Sequence, residues 1–176
     1  MRRTDVDAQG YNHLFVQKMK TTDPQITATA GEHFVAYKIA TLGFIPALVR
    51  QGAPTIDLLA SSVDGGKTVG IQVKTTSSAI RTRGRGDKKE AFQLQFPLGH
   101  RAIEETADST IFCFVDLRQW EADKAPDVYV VTAKALKKEY DGMNIRQHSY
   151  FRHHRLIAAM AAYRNNWQPL TDALAK

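Results

Sequence analysis

The tripeptide Asp64-Gly65-Gly66, set between two apolar runs, constrains this chain more than any other feature. Paired glycines supply the positive φ that a tight β-turn requires, so the segment predicts a hairpin. Thr55–Val63 is its first strand and Thr68–Thr76 its second. Side chains alternate between the two faces of a strand. In the later strand Val69, Ile71 and Val73 share one face, while Gly70, Gln72, Lys74 and Thr76 share the other. In the earlier strand Ile56, Leu58 and Ala60 separate in the same way from Thr55, Asp57, Leu59 and Ser61. The hairpin is therefore expected to bring Asp57 close to Gln72 and Lys74. An aspartate is unfavourable inside a strand, and this one interrupts an otherwise apolar run.

The remaining segments arrange themselves around that hairpin. Residues 1–24 are polar, charged and without period, and predict a flexible N-terminal arm ahead of a single domain over 25–176. Ile26–Leu42 has helical spacing through Ala36, Ile39 and Leu42, with Gly43 as a stop. Phe44–Val49 is a short strand. Beyond the hairpin, Ser77–Glu90 is rich in Arg, Lys and Gly and predicts an exposed, mobile loop. Ala91–Phe96, Thr110–Leu117 and Val128–Val131 are expected strands. Arg101–Ala107, Ala133–Tyr140 and a last segment, Leu156–Asn165, are expected helices. This order describes an α/β fold with one mixed sheet flanked by helices.

A formal net charge of +6 points to a polyanionic partner, with nucleic acid ahead of an anionic membrane surface. The single cysteine, Cys113, lies in an apolar run and reads as core; one cysteine excludes an intramolecular disulfide. No apolar leader and no ~20-residue apolar run is present, which predicts a cytoplasmic protein without a membrane span. Gly66-Lys67-Thr68 resembles the end of a phosphate-binding loop. However, Ser61 stands where that loop needs glycine, and a strand follows instead of a helix.

Metal-assisted phosphodiester cleavage gives Asp57 a reason to interrupt its strand. A hard cation takes oxygen ligands and keeps several waters. Asp57 would be the anionic ligand, the Gln72 amide oxygen a neutral one, and the Val73 backbone carbonyl a third. Lys74 would orient the attacking water or stabilise charge on phosphorus. Pro54-Thr55-Ile56-Asp57, the hairpin and Gln72-Val73-Lys74 together resemble the PD-(D/E)XK nuclease motif, and the preceding helix carries Gly31-Glu32 as that superfamily's helix does. Within it the sequence looks most similar to the Mrr-type and homing-endonuclease-like branches that carry Gln at the third position. The resemblance spans about residues 26–132. It implies a restriction-endonuclease-like αβββαβ core, Mg²⁺ or Mn²⁺ as cofactor, and a DNA endonuclease working as a homodimer or higher homo-oligomer. It also implies that Glu32 completes the metal site. The residues allow another role for Glu32, because Thr29-Ala30-Gly31-Glu32 fits a capping box at a helix start. The neutral Gln72, where the family has an acid, keeps a catalytically inactive nucleic-acid-binding module on the same fold as the alternative.

Two basic clusters accompany the motif. Arg81, Arg83, Arg85, Lys88 and Lys89 follow directly after the candidate catalytic strand and are placed to track a phosphate backbone. Arg146, His148, Arg152, His153, His154 and Arg155 form the second cluster. It fits phosphate contact or plain surface, and the lack of a neighbouring cysteine argues against zinc. Tyr163 and Trp167 read as core anchors.

Overall fold

The structure is a computed structural model, and it describes residues 23–49, 55–117, 125–143 and 152–175. Most of the expected arm, residues 1–22, lies outside them, as do Arg146 and His148. Helix α1 spans Pro24–Thr41. Asp23 caps it, its side chain accepting from the Gln25 amide at 2.8 Å, and Pro24 takes the first-turn position that suits a residue lacking an N–H. Thr27, Gly31, Val35 and Ile39 form a stripe at every fourth residue and are buried. The helix thus begins six residues before Ala30, and Thr29–Glu32 sits inside it. The capping reading of Glu32 falls, because Thr29 lies in the second turn of α1, where its amide is bonded within the helix and leaves Glu32 nothing to reach back to.

Strands β1 (Ile45–Leu48), β2 (Leu58–Ser61), β3 (Thr68–Thr76), β6 (Ile111–Asp116) and β7 (Asp127–Thr132) form one sheet in the order β1-β2-β3-β6-β7. β3 and β6 are parallel and the other pairings antiparallel, so the sheet is mixed. Gly65 makes the expected turn with φ +71°. Every side chain of β6 is buried, because both faces of the sheet are covered. On one face Ile111, Cys113 and Val115 join Val69, Ile71 and Val73 under α1 and the C-terminal helix α5 (Gln168–Leu174). On the other, Phe112 and Phe114 meet Phe96, Tyr129 and Val131 beneath helices α2 (His100–Glu104) and α3 (Ala133–Glu139). Burial pushes the Cys113 thiol far above its ordinary value, as a core cysteine requires.

The parallel crossover from β3 to β6 holds the main departure from expectation. Ser77–Glu90 is not simply a loop: β4 (Ile80–Arg83), a 3₁₀ turn at Gly86–Lys88 and β5 (Glu90–Pro97) make an antiparallel hairpin. Strand β8 (Arg152–Leu156) pairs with β5 and completes a second, three-stranded sheet, β4-β5-β8. The expected last helix is also divided. Leu156 ends β8, α4 covers Ile157–Met160, a 3₁₀ turn covers Ala161–Tyr163, and α5 follows. Trp167 is buried as expected, and Tyr163 packs against the second cluster. With the β4–β5 hairpin set aside, the chain runs α1-β1-β2-β3-α2-β6, the expected αβββαβ order. Among the described residues no helix is long and apolar enough to cross a membrane.

Candidate active site

β2 stops short of β3, and the site lies where it stops. The regular ladder ends at Leu58, opposite Ile71. One residue earlier the Asp57 amide donates to the same Ile71 carbonyl, at 2.9 Å, so the chain is a residue out of step there. Val73 therefore has no β2 carbonyl to bond. Its N–H donates instead to Asp57 Oδ2 at 2.7 Å, since a half-buried amide needs a partner. The carboxylate is thus pinned against the β3 backbone between Gln72 and Lys74. Asp57 Oδ1 takes no hydrogen bond from the described residues.

Gln72 and Lys74 share the face of β3 that α1 does not cover. Gln72 is 3% exposed, and its Oε1 has no hydrogen-bond partner among the described residues. A buried carbonyl oxygen left without a donor costs about 1–3 kcal/mol. Lys74 is partly buried and forms no ion pair among the described residues. Burial lowers its ammonium below the ordinary lysine value, against the pull of Asp57 and Glu32. Glu32 responds in the opposite sense. Burial raises its carboxyl first, the Asp57 charge adds to that, and His33 and Lys74 oppose it. These mutual effects place Glu32, Asp57 and Lys74 within electrostatic reach of one another.

Gly31 explains how the helix brings Glu32 there. A Cβ at Gly31 would stand 1.9 Å from Thr75 Oγ1, so only glycine lets α1 lie this close to β3. Beside Lys74 opens a cleft of about 410 Å³ between the start of α1 (Pro24, Thr27), the end of β3 (Lys74, Thr76) with the following Ser77, and Pro97 of β5.

Gln72 and Asp57 are oxygen donors, the type a hard cation takes, and the orphaned Gln72 Oε1 fits such a ligand. The Val73 carbonyl belongs to the same backbone stretch. Among the described residues no group of three or more His, Cys, Asp and Glu is gathered for a metal. Two carboxylates and an amide are what this site offers.

The basic residues Arg81, Arg83, Arg85, Lys88 and Lys89 are all exposed. Arg83 pairs with Glu90 at 2.6 Å and lies 5.8 Å from the Phe92 ring centroid. Arg81 donates to Gln95 Oε1. The Gly31–Thr75 contact and the glutamines of β5 escaped the sequence reading. The first is a contact between distant segments, and the second hides among alternating polar residues.

No protein-family model matches the sequence, and no curated protein matches it. Among solved structures the chain is similar to a bacterial homing endonuclease, I-Ssp6803I, with a TM-score of 0.54, 12% identity, and coverage of 87% of this chain and 94% of that one. At that identity the likeness is one of fold: a mixed α/β architecture, its central five-stranded sheet flanked by helices, similar to that nuclease.

Proposed function

We propose that this chain is a metal-dependent endodeoxyribonuclease of the PD-(D/E)XK type that hydrolyses phosphodiester bonds in DNA. The observation that carries the proposal is the Asp57 carboxylate bonded to the Val73 amide, between Gln72 and Lys74 on β3 and within charge reach of Lys74 and Glu32, with the Gln72 Oε1 buried and unpartnered among the described residues. Likeness of fold to a homing endonuclease supports it.

Asp57, Gln72, the Val73 carbonyl and Glu32 would hold Mg²⁺ or Mn²⁺. A divalent ion there supplies Lewis acidity toward the phosphate and acidifies a bound water. Asp57 stays oriented because the Val73 N–H fixes one of its oxygens. Glu32, with its carboxyl raised, is suited to take the proton that the attacking water loses. Lys74 presents N–H donors to the charge that builds on the phosphoryl oxygens, and its partial burial strengthens that interaction. Arg81, Arg83, Arg85, Lys88 and Lys89 would hold the flanking DNA backbone. Cutting both strands of a duplex takes two such sites, which a homodimer provides.

The neutral Gln72 favours one other reading, a DNA-binding module that does not cut. Plasmid and linear DNA incubated with Mg²⁺, Mn²⁺ or chelator separate the two. Metal-dependent cutting that falls at least about a hundred-fold in Asp57→Ala and Lys74→Ala is expected. Binding without cutting, with wild type equal to both variants, would establish the module instead.

A further inference from the structure

The β4–β5 hairpin is built unlike the rest of the molecule. All residues from Arg81 to Glu90 are exposed, so both faces of the hairpin meet solvent. They include five basic residues against Asp87 and Glu90. β8 pairs with β5 only over Gln93–Pro97, whereas β4 pairs with it over Glu90–Leu94. The three strands overlap only at Gln93 and Leu94, and past them β4 and β5 continue to the turn as a two-stranded ribbon. Inward, Leu94 and Phe96 are buried against the aromatic core and hold the ribbon's base firmly. Outward, the register sets Arg81 opposite Gln93, and the hydrogen bond from Arg81 to Gln95 shows that these side chains share one face.

We infer that this ribbon enters the DNA major groove and that Arg81, Gln93 and Gln95, which share one face where the ribbon joins the sheet, read base edges beside it. The inference rests on the nuclease reading for its substrate and goes beyond it in assigning sequence recognition. A two-stranded β-ribbon is a width the major groove admits. Arginine pairs in bidentate fashion with guanine, and glutamine with adenine. The hydrogen bond to Gln95 restrains Arg81 before any DNA arrives and leaves guanidinium N–H groups to donate. Arg85, Lys88 and Lys89, at the turn, meet phosphates across the groove. β5 runs from Glu90 at the tip to Pro97, which lines the cleft beside Lys74. At about 3.3 Å per residue it spans roughly 23 Å. With base pairs about 3.4 Å apart, recognition falls within about seven base pairs of the cleaved bond.

The test is selection of bound duplexes from a randomised DNA library in chelator, where no cutting is needed. Wild type should enrich a base preference. The Arg81→Ala/Gln93→Ala/Gln95→Ala variant, checked for an unchanged melting profile, should lose about ten-fold or more of that discrimination. Lys88→Ala/Lys89→Ala should keep the preference and lower the slope of log affinity against log salt by about two. A triple variant that retains the wild-type preference overturns the inference. So does duplex RNA competing as well as DNA, because its major groove is too narrow for side chains to read. Selection without any cutting in Mg²⁺ or Mn²⁺ supports this inference and removes the nuclease reading. A wild type that binds no duplex removes both.

Discussion

Lys74 and Glu32 both lie on the costly side of their ionisation at neutral pH. Lys74 is depressed below 10.5, so the folded state binds its proton less tightly than the unfolded chain does. Stability rises with pH between its folded value and 10.5, and at neutral pH the ammonium is a cost. Glu32 is raised above 4.5, so its folded state gives up the proton reluctantly, and stability falls as pH climbs through that raised value. Lys74→Met and Glu32→Gln should therefore melt above wild type at pH 7 while abolishing cutting. The Glu32→Gln advantage should vanish once the pH falls below about 4.5, the ordinary glutamate value. Thermal melts between pH 4 and pH 8 read both effects, and equal melting of wild type and variants at pH 7 would contradict them. Gln72→Glu adds a third carboxylate to a buried site. It should melt below wild type in chelator and gain more than wild type from Mn²⁺, in proportion to tighter binding.

At the level of elements, the approach of α1 to β3 depends on Gly31. Alanine is the better helix former by about 1 kcal/mol. Yet its Cβ would meet Thr75 at 1.9, 2.8 and 2.9 Å, and overpacking of that kind costs typically 1–3 kcal/mol. Gly31→Ala is expected to destabilise on balance and to weaken cutting further by moving Glu32 outward. Thr75→Ala on top of it should recover part of the lost stability, as denaturant titration would show. The elements readable from sequence were those whose burial leaves a period. α1, the β2–β3 hairpin and the apolar β6 all have one, and Asp57 was visible because it broke one. The part Asp57 plays was only half legible. Alternation placed it beside Gln72, whereas the structure joins its carboxylate to the Val73 amide across a slipped register. β4 left no trace because Arg81–Arg83 is exposed and carries no alternation of burial. β8 is four polar residues and a leucine, which reads as surface. Its place is set by pairing with β5, a partner more than fifty residues away.

In the whole molecule, the C-terminal segment closes one side of the sheet. Trp167, Leu170 and Leu174 are buried in the cluster that contains β3's inner face. A polar clasp holds the approach to them. Asp127 is buried and pairs with Arg164 at 2.9 Å. Asn165, at φ +52°, bonds Asp127 through its amide and the Val128 backbone in both directions. Arg164 is half exposed and Asp127 keeps its bond from Asn165, so solvent screens the pair and Arg164→Ala is expected to cost about 1 kcal/mol. Removing Asp127 as well should return part of that, and a double-mutant cycle in urea would show the coupling. Leu170→Ala should cost roughly 2–5 kcal/mol through the cavity it leaves.

The ribbon's double exposure has a consequence for how such a protein diversifies. Between Arg81 and Glu90 no residue contributes to either core cluster, and only the turn glycines are held by local geometry: Gly84, at φ +93° with the Lys88 carbonyl 2.2 Å from where a Cβ would stand, and Gly86, at φ +56°. The other eight positions can be exchanged without disturbing the packing that positions Asp57 and Lys74. Target preference can then drift, or be redesigned by exchanging Arg81 together with its neighbours Gln93 and Gln95, while the chemistry beside Asp57 and Lys74 stays as it is.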